Sequence, residues 1–289
     1  MDMLKTLQAL NACHGPSGDE GYVTALLEKL AMPYVDECRR DTMGNLIAHR
    51  KGGGSRVMFA AHMDSIGCIV THIEKEGYLR FCKVGGLHAA ELLSTPVRFK
   101  NGVRGVVCLS ESVEAKSMTL DDLYLDIGAH DADEARAMVQ IGDTAVFDTA
   151  VFAAGDRLIS PYLDNRASCL AMLMAMEQLQ ESENDLYFVF TAQEELGLRG
   201  AKTAAYAIDP DYGVAVGVTP AADALGSKHS GSSVLGGGAA IKVMDSSVIC
   251  HPQMVSRLEV LAEERGIPAQ RGVIRSGGTD AGSIYLSRM

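Results

Sequence analysis

The chain has 289 residues, of which 47% are hydrophobic and 22% are charged, and its formal net charge is −11. This apolar fraction excludes a disordered chain and is sufficient for one large core or two smaller ones. An acidic chain without a basic run repels phosphate, so we expect no nucleic-acid partner. The longest apolar run with a helical pattern, 167–176, is far shorter than the roughly 18 residues of a membrane span, so we expect no membrane partner either.

The cysteine content predicts reduced thiols. The chain has seven cysteines, an odd number, and no Cys-x-x-Cys pair. A disulfide framework or a cysteine-rich zinc site would have closer, paired spacing. Residues 2–10 have the pattern of an amphipathic helix start, which differs from a signal peptide with a basic end and an apolar centre. We therefore expect a cytoplasmic protein.

The first 65 residues alternate between helical and extended patterns. Two stripes of apolar residues, at 4–10 and 22–30, have helical spacing. Between them, Ser17-Gly18-Asp19-Glu20 matches a capping box, in which Ser17 accepts from the N–H of Glu20 and the Glu20 side chain reaches back. Two strands joined by a Gly44-Asn45 turn follow, and an apolar strand at 56–61 ends just before His62.

Residues 66–158 have a different pattern, in which six short strands are separated by turn residues and one short helix interrupts them. This pattern is typical of a small β-barrel or sandwich. From Asp164 onward the helix–strand alternation returns, with a helix at 166–180, strands at 186–192 and 213–218, and a helix at 252–265. We therefore predict a discontinuous α/β domain formed by 1–65 and 159–289, into which 66–158 are inserted as a β domain.

Polar residues capable of chemistry occur in three clusters: His62-Met63-Asp64, Asp164-Asn165-Arg166 and Glu194-Glu195. Taken singly, they are typical of a surface turn, a helix N-cap and a solvated loop. Each one, however, follows an apolar strand or precedes a helix, and in open α/β sheets the site lies outside the carboxyl ends of the strands. Imidazole and carboxylates are ligands that suit zinc, cobalt or manganese, so the three clusters together indicate a metal-assisted hydrolase.

These clusters are part of a longer set of motifs that resembles the M42 family of dinuclear metallo-aminopeptidases, of the glutamyl aminopeptidase and tetrahedral aminopeptidase type. The matching motifs are DTMGN at 41–45, AHMD at 61–64, LYLDIG at 123–128, LDNR at 163–166, AQEELG at 192–197, RG at 199–200 and GGTDA at 277–281. The resemblance implies a three-layer, zinc-peptidase-like α/β catalytic domain with an inserted small β-barrel for dimerisation. It also implies a homo-oligomer built from dimers, a dodecamer in the family.

The resemblance implies roles for five residues. His62 is expected to bind the first of two divalent metal ions per subunit, zinc or cobalt, Asp164 to bridge both ions, and Glu195 to bind the second. Glu194 is expected to act as general base towards a metal-activated water, and Asp64 to orient the His62 ring. The expected reaction is removal of N-terminal residues from short peptides. The family also implies a cis peptide bond after Asp164.

Two departures from the family pattern limit these expectations. Where the family has a metal-binding Asp after the next strand, this chain has Gly217, and where the family continues to a final His ligand, this sequence stops at Met289. Each ion would then lack one protein ligand, so we expect weak metal binding and low or no activity. The alternative is a catalytically impaired family member that acts as a non-enzymatic oligomer subunit. A glycoside hydrolase is least favoured, because the carboxylates are better explained as metal ligands.

Overall fold

The structure is a computed structural model that describes residues 1–227 and 232–287, so the chain end at Met289 lies outside the described residues. The helices are α1 (Met3–Ala12), α2 (Gly21–Ala31), α3 (Ala89–Leu92), α4 (Ala132–Met138), α5 (Leu163–Gln178), α6 (Arg199–Ile208), α7 (Pro252–Glu264) and α8 (Ala281–Ile284). Within the described residues, no helix has the length and apolar character needed to cross a membrane.

The strands fall into a central sheet, a barrel and two short pairs. They are β1 (Glu37–Arg40), β2 (Leu46–Arg50), β3 (Arg56–His62), β4 (Gly67–Ile73), β5 (Leu79–Val84), β6 (Pro96–Phe99), β7 (Arg104–Leu109), β8 (Leu123–Asp126), β9 (Thr144–Phe147), β10 (Phe152–Ala154), β11 (Arg157–Ile159), β12 (Asp185–Thr191), β13 (Tyr212–Ala215), β14 (Ala239–Met244) and β15 (Ala269–Val273). β10 pairs with β11, and β14 pairs with β15.

The central sheet has the strand order β1-β2-β12-β3-β13, in which β12, β3 and β13 are parallel. Helices α1, α2 and α5 cover one face through a core that includes Leu27, Leu173 and Phe190. Helices α6 and α8 cover the other face, where Ala204 and Ile284 belong to the core. Because both faces are covered, β12 is a nearly continuous apolar run, as expected of a parallel strand. The predicted three-layer α/β class is confirmed.

Six of the eight strands between β3 and α5 close into a barrel with the order β4-β5-β8-β7-β6-β9. Its interior is filled by fully buried side chains such as Leu79, Val97 and Leu125. Closure removes the free edges that an open sheet would have. The buried side chains inside the barrel form a core of their own. The pattern of residues 66–158 had left a barrel and a sandwich open, and the structure has the barrel. The hairpin β10–β11 pairs outside it, and the domain boundaries remain a prediction.

The predicted capping box before α2 is wrong. Helix α2 begins at Gly21, and the Ser17 hydroxyl donates to Asp64 Oδ2 at 2.6 Å instead of accepting from Glu20. The Glu20 carboxylate accepts from the N–H groups of Gly18 at 2.8 Å and Gln193 at 3.1 Å. The local pattern fails because stronger or better-placed partners come from Asp64 and Gln193, which are distant in sequence.

Gly200 is required where α6 starts against the end of β12. A Cβ at this position would overlap Asn45 Oδ1 and the carbonyl oxygen of Ala192, which are held by the hydrogen bond from Ala192 N to Asn45 Oδ1 at 2.9 Å. We expect Gly200→Ala to lower the free energy of unfolding by about 1–3 kcal/mol or more, measured by urea denaturation. Gly53→Ala is the matched control, because a Cβ there meets no described atom within 4 Å. Equal stability of the two variants would contradict this account.

Candidate metal centre

The structure brings together three of the predicted metal ligands. His62 ends β3, Asp164 lies in the first turn of α5, and Glu195 lies in the turn after β12. One ligand atom from each of these residues lies within 4.8 Å of the others, and His62 Nε2 is 3.0 Å from Asp164 Oδ1. They meet because the parallel strands β3 and β12 end side by side, with Thr191 in register with His62. One imidazole and two carboxylates are a donor set that fits a divalent transition-metal ion.

Asp64 and Glu194, the two other predicted site residues, lie against this group. Asp64 is fully buried, and its Oδ1 lies 3.5 Å from His62 Nδ1, which also lies 3.2 Å from the Asp64 backbone oxygen. Glu194 Oε2 is 3.8 Å from His62 Nε2. The five residues therefore converge on one site, while the role of each remains a prediction.

The Asp64 carboxylate also organises the turn that carries the two glutamates. Its Oδ1 accepts from Glu194 N at 3.1 Å, and its Oδ2 accepts from Glu195 N at 3.2 Å and from the Ser17 hydroxyl. Together with the nearby His62 ring, these donors stabilise the negative charge of the Asp64 carboxylate. Burying this charge without them would cost free energy. Asp64 therefore contacts the His62 ring and the backbone of both glutamates at the same time.

The adjacent residues Glu194 and Glu195 do not lie in an extended segment. Both lie in a turn, since Gly197 N and Leu198 N donate to the Glu194 carbonyl at 2.8 and 2.9 Å. The side chains nevertheless diverge. Glu195 Oε2 accepts from Gly86 N of the barrel at 3.4 Å, whereas Glu194 approaches His62 Nε2.

Burial and neighbouring charges shift the titration of this site. Burial raises the pKa of Glu194 to about 8, with His62 opposing the shift and Asp280 adding to it. Burial alone would lower the pKa of His62, but the Asp164 hydrogen bond and the Asp64 carboxylate raise it well above its ordinary value. For Asp64 burial acts in the opposite direction and would raise the pKa, but the hydrogen bonds with His62 and Ser17 hold it below its usual range. Before a cation binds, a protonated imidazole therefore compensates the surrounding carboxylates.

The segment that begins with Asp164 follows the expected pattern. The Asp164–Asn165 peptide bond is cis, which confirms that expectation. The predicted strand at 213–218 is shorter in the structure, since β13 ends at Ala215. Asn165 Nδ2 donates to the Val216 carbonyl at 3.0 Å, so the segment just after β13 lies next to the Asp164–Asn165 peptide. Arg166 turns away from the ligand group and is fully buried, where its guanidinium donates to the Leu10 carbonyl at 3.0 Å. Within the Asp164-Asn165-Arg166 cluster, Arg166 therefore has a structural role and is not part of the ligand group.

Sequence reasoning missed two residues of the site. Asp280 was noted only as part of the GGTDA motif, yet it is buried and its Oδ2 accepts from the Thr191 hydroxyl at 2.5 Å. Burial raises its pKa to about 6, and its Oδ1 has no hydrogen-bond partner among the described residues. Ser17 was assigned to a helix cap. For Asp280, the GGTDA motif marked the position in the sequence, but its burial follows only from its neighbours in space.

Comparisons with known proteins agree with this geometry. The M42 glutamyl aminopeptidase family model matches residues 44–289. A putative aminopeptidase of Acetivibrio thermocellus is 45% identical over 99% of this chain and 87% of its own length. An aminopeptidase of the archaeon Desulfurococcus kamchatkensis has a TM-score of 0.94 and 38% identity, covering 99% of this chain and 83% of its own. The TET1 peptidase of Pyrococcus horikoshii, which can assemble into a tetrahedron or a large octahedral shell, has a TM-score of 0.88 and 31% identity, covering 99% and 88%.

Glu194→Gln should stabilise the metal-free protein increasingly as the pH rises. The unfolded chain releases the Glu194 proton near pH 4.5, whereas the folded protein holds it up to about pH 8, so the wild type loses stability across this interval. Glutamine does not ionise, and we expect a gain of at most a few kcal/mol, or about tenfold or more in the folding equilibrium, near pH 8. Urea denaturation with a chelator at several pH values measures it, with Glu263→Gln as an exposed control. A gain independent of pH would contradict this assignment.

Proposed function

Because the chain belongs to the M42 family of glutamyl aminopeptidases, we propose that it is a metal-dependent aminopeptidase that removes N-terminal residues from short peptides. The observation that carries the proposal is the convergence of His62, Asp164 and Glu195 within 4.8 Å, with Glu194 beside them. The family match and the similarity to proteins named aminopeptidases establish an enzyme of this class. Metal dependence and the catalytic roles are the proposed part.

We assign the metal ligands from the donor atoms at the site. His62 Nε2 and the Glu195 carboxylate would each hold one of two ions, zinc or cobalt, and the Asp164 carboxylate would bridge them. The Asp164 side chain is 61% exposed, which leaves it open to ligands on the solvent side. When bound, a divalent ion polarises the scissile carbonyl and lowers the pKa of water towards about 7.

Glu194 is the proposed general base. It lies beside His62 without being assigned as a ligand, so its carboxylate can first accept a proton and then donate it. Its Oε2 would take a proton from the attacking water and pass it to the leaving amine. Asp64 would keep the His62 ring oriented and, through the N–H of Glu194, hold the base in place.

The assembly and the location are proposed from the relatives and the composition. The likeness to the TET1 peptidase over 99% of this chain supports a homo-oligomer, built from dimers that the barrel joins and extending to a dodecamer. Reduced thiols support a cytoplasmic location. The names of the relatives give no support to a non-enzymatic subunit, and peptide turnover by this chain tests that alternative.

Glu194→Gln should abolish peptide turnover while sparing metal binding, because it removes the base and no ligand. We expect a fall of about 10²–10⁴-fold in kcat on aminoacyl chromogenic substrates. Zinc or cobalt affinity by calorimetry should remain within about threefold, whereas His62→Ala should weaken it by about tenfold or more. Glu263→Gln, an exposed change of the same chemistry, is the control. A Glu194→Gln variant with wild-type turnover would refute the assigned base.

Gly217→Asp should strengthen the binding of one metal ion. Among the described residues, nothing lies within 4 Å of a Cβ placed on Gly217, and the neighbouring Val216 carbonyl is held by Asn165 next to Asp164. A carboxylate there would add a ligand, so we expect about tenfold tighter binding of one ion and a partial gain in kcat. Gly217→Ala is the matched control, since it adds the Cβ without the carboxylate. Equal affinities for the two variants would show that the position does not reach the metal.

A further inference from the structure

Residues 14–20 contact two turns of the site: the turn after β3, which carries Asp64, and the turn after β12, which carries Glu194 and Glu195. Ser17 N donates to the Ser65 carbonyl at 3.2 Å, and Ser65 N donates back to the Gly15 carbonyl at 3.0 Å, which joins the segment to the turn after β3. The Ser17 hydroxyl then reaches Asp64 Oδ2 at 2.6 Å within a buried environment. The segment thus supplies one of the donors that hold the Asp64 carboxylate.

Glu20 connects the same segment to the turn after β12. It is only 7% exposed, and its Oε1 accepts from Gly18 N at 2.8 Å and Gln193 N at 3.1 Å. Gln193 has a φ of +52°, the left-handed region, which costs a residue with a side chain about 1–3 kcal/mol. The hydrogen bond from Gln193 N offsets part of this cost. It therefore favours the conformation in which Glu194 N and Glu195 N both face Asp64.

The segment is also fixed from the barrel side. His14, which is 2% exposed, places Nε2 at 2.8 Å from Thr144 Oγ1. Asp19 Oδ1 lies 2.5 Å from Lys100 Nζ. These contacts hold the segment between the barrel and the α/β unit, so that Ser17 and Glu20 are presented to the site from a fixed support.

We propose that Glu20 and Ser17 are positioning residues of the site: Glu20 sets the Gln193 turn and Ser17 sets the Asp64 carboxylate, so that Glu194 and Glu195 are aligned with His62 and Asp164. The inference rests on the proposed aminopeptidase function for its kinetic consequence, but not for its structural one. Both N–H groups donate to one oxygen of Glu20, Oε1, so these two hydrogen bonds do not require a charged side chain. A glutamine at this position can make the same two hydrogen bonds.

The test compares Glu20→Ala with Glu20→Gln. The control is Glu28→Ala, which truncates a glutamate inside the following helix α2, one that pairs with Arg40. The first readout is hydrogen–deuterium exchange of the amides of 193–195 in the chelated protein. Glu20→Ala should speed this exchange by about tenfold, the value of one lost hydrogen bond, while Glu20→Gln stays within about threefold of the wild type.

The second readout is kinetic. Glu20→Ala should lower kcat by about tenfold to a hundredfold with KM changed less than about threefold, because the turn carries the base and a metal ligand rather than the peptide-binding surface. Glu20→Gln should restore most of kcat, and Glu28→Ala should match the wild type. A role confined to stability would lower Tm in Glu20→Ala without changing the kcat of the folded enzyme.

Ser17→Ala and Ser17→Thr test the second residue and serve as the main pair if Glu20→Ala does not fold. Ser17→Ala should speed exchange of the Glu194 and Glu195 amides and lower kcat, and Ser17→Thr, which keeps the hydroxyl, should restore both. Unchanged exchange and kcat in the alanine variants, or a Glu20→Gln variant as impaired as Glu20→Ala, would overturn the inference. If the wild type cleaves no aminoacyl substrate, the proposed function fails, and the exchange data still decide the positioning role.

Discussion

The buried carboxylate of Asp64 is the interaction on which the site depends. It lies beside the His62 ring and accepts from two backbone N–H groups and one hydroxyl, so one charge ties together the ends of β3 and β12. Such a charge is tolerated inside the protein because each oxygen has donors. Without it, the His62 ring would lose a buried carboxylate neighbour, and the Glu194–Glu195 turn would lose the acceptor for its two amides.

The barrel strands lie in sequence between two of the residues that meet at the site. His62 and Asp164 are separated in sequence by the barrel, yet their side chains are 3.0 Å apart. The chain leaves the sheet after β3 and returns at α5, so the barrel is inserted at the point where the ligands meet. The barrel contributes directly as well, because Gly86 N donates to the Glu195 carboxylate. The inserted unit is therefore part of the site's support in addition to its proposed role in dimerisation.

The sequence was sufficient to predict the helix–strand alternation, the position of the barrel strands and the convergence of the polar clusters, because each depends on periodicity or on where an apolar strand ends. The three-layer arrangement was implied by the family resemblance. It was insufficient where partners come from distant segments. Ser17 and Glu20 matched a capping box, but Asp64 and Gln193 compete for them. The turn that carries Glu194 and Glu195 depends on Asp64, which is distant in sequence, and on the left-handed Gln193. Asp280 carries a buried carboxylate that only its neighbours in space reveal.

Crystallography of the cobalt-loaded protein at the cobalt absorption edge tests the central claim most directly, because it locates the metal without reference to activity. The account predicts two anomalous peaks, one about 2.0–2.2 Å from His62 Nε2 and one at a similar distance from a Glu195 carboxylate oxygen, each with an Asp164 carboxylate oxygen beside it. It also predicts that Asp64 keeps its hydrogen bonds to the amides of Glu194 and Glu195. Cobalt bound elsewhere at saturating concentration, with no density beside His62, would contradict the assignment of this site as the metal centre.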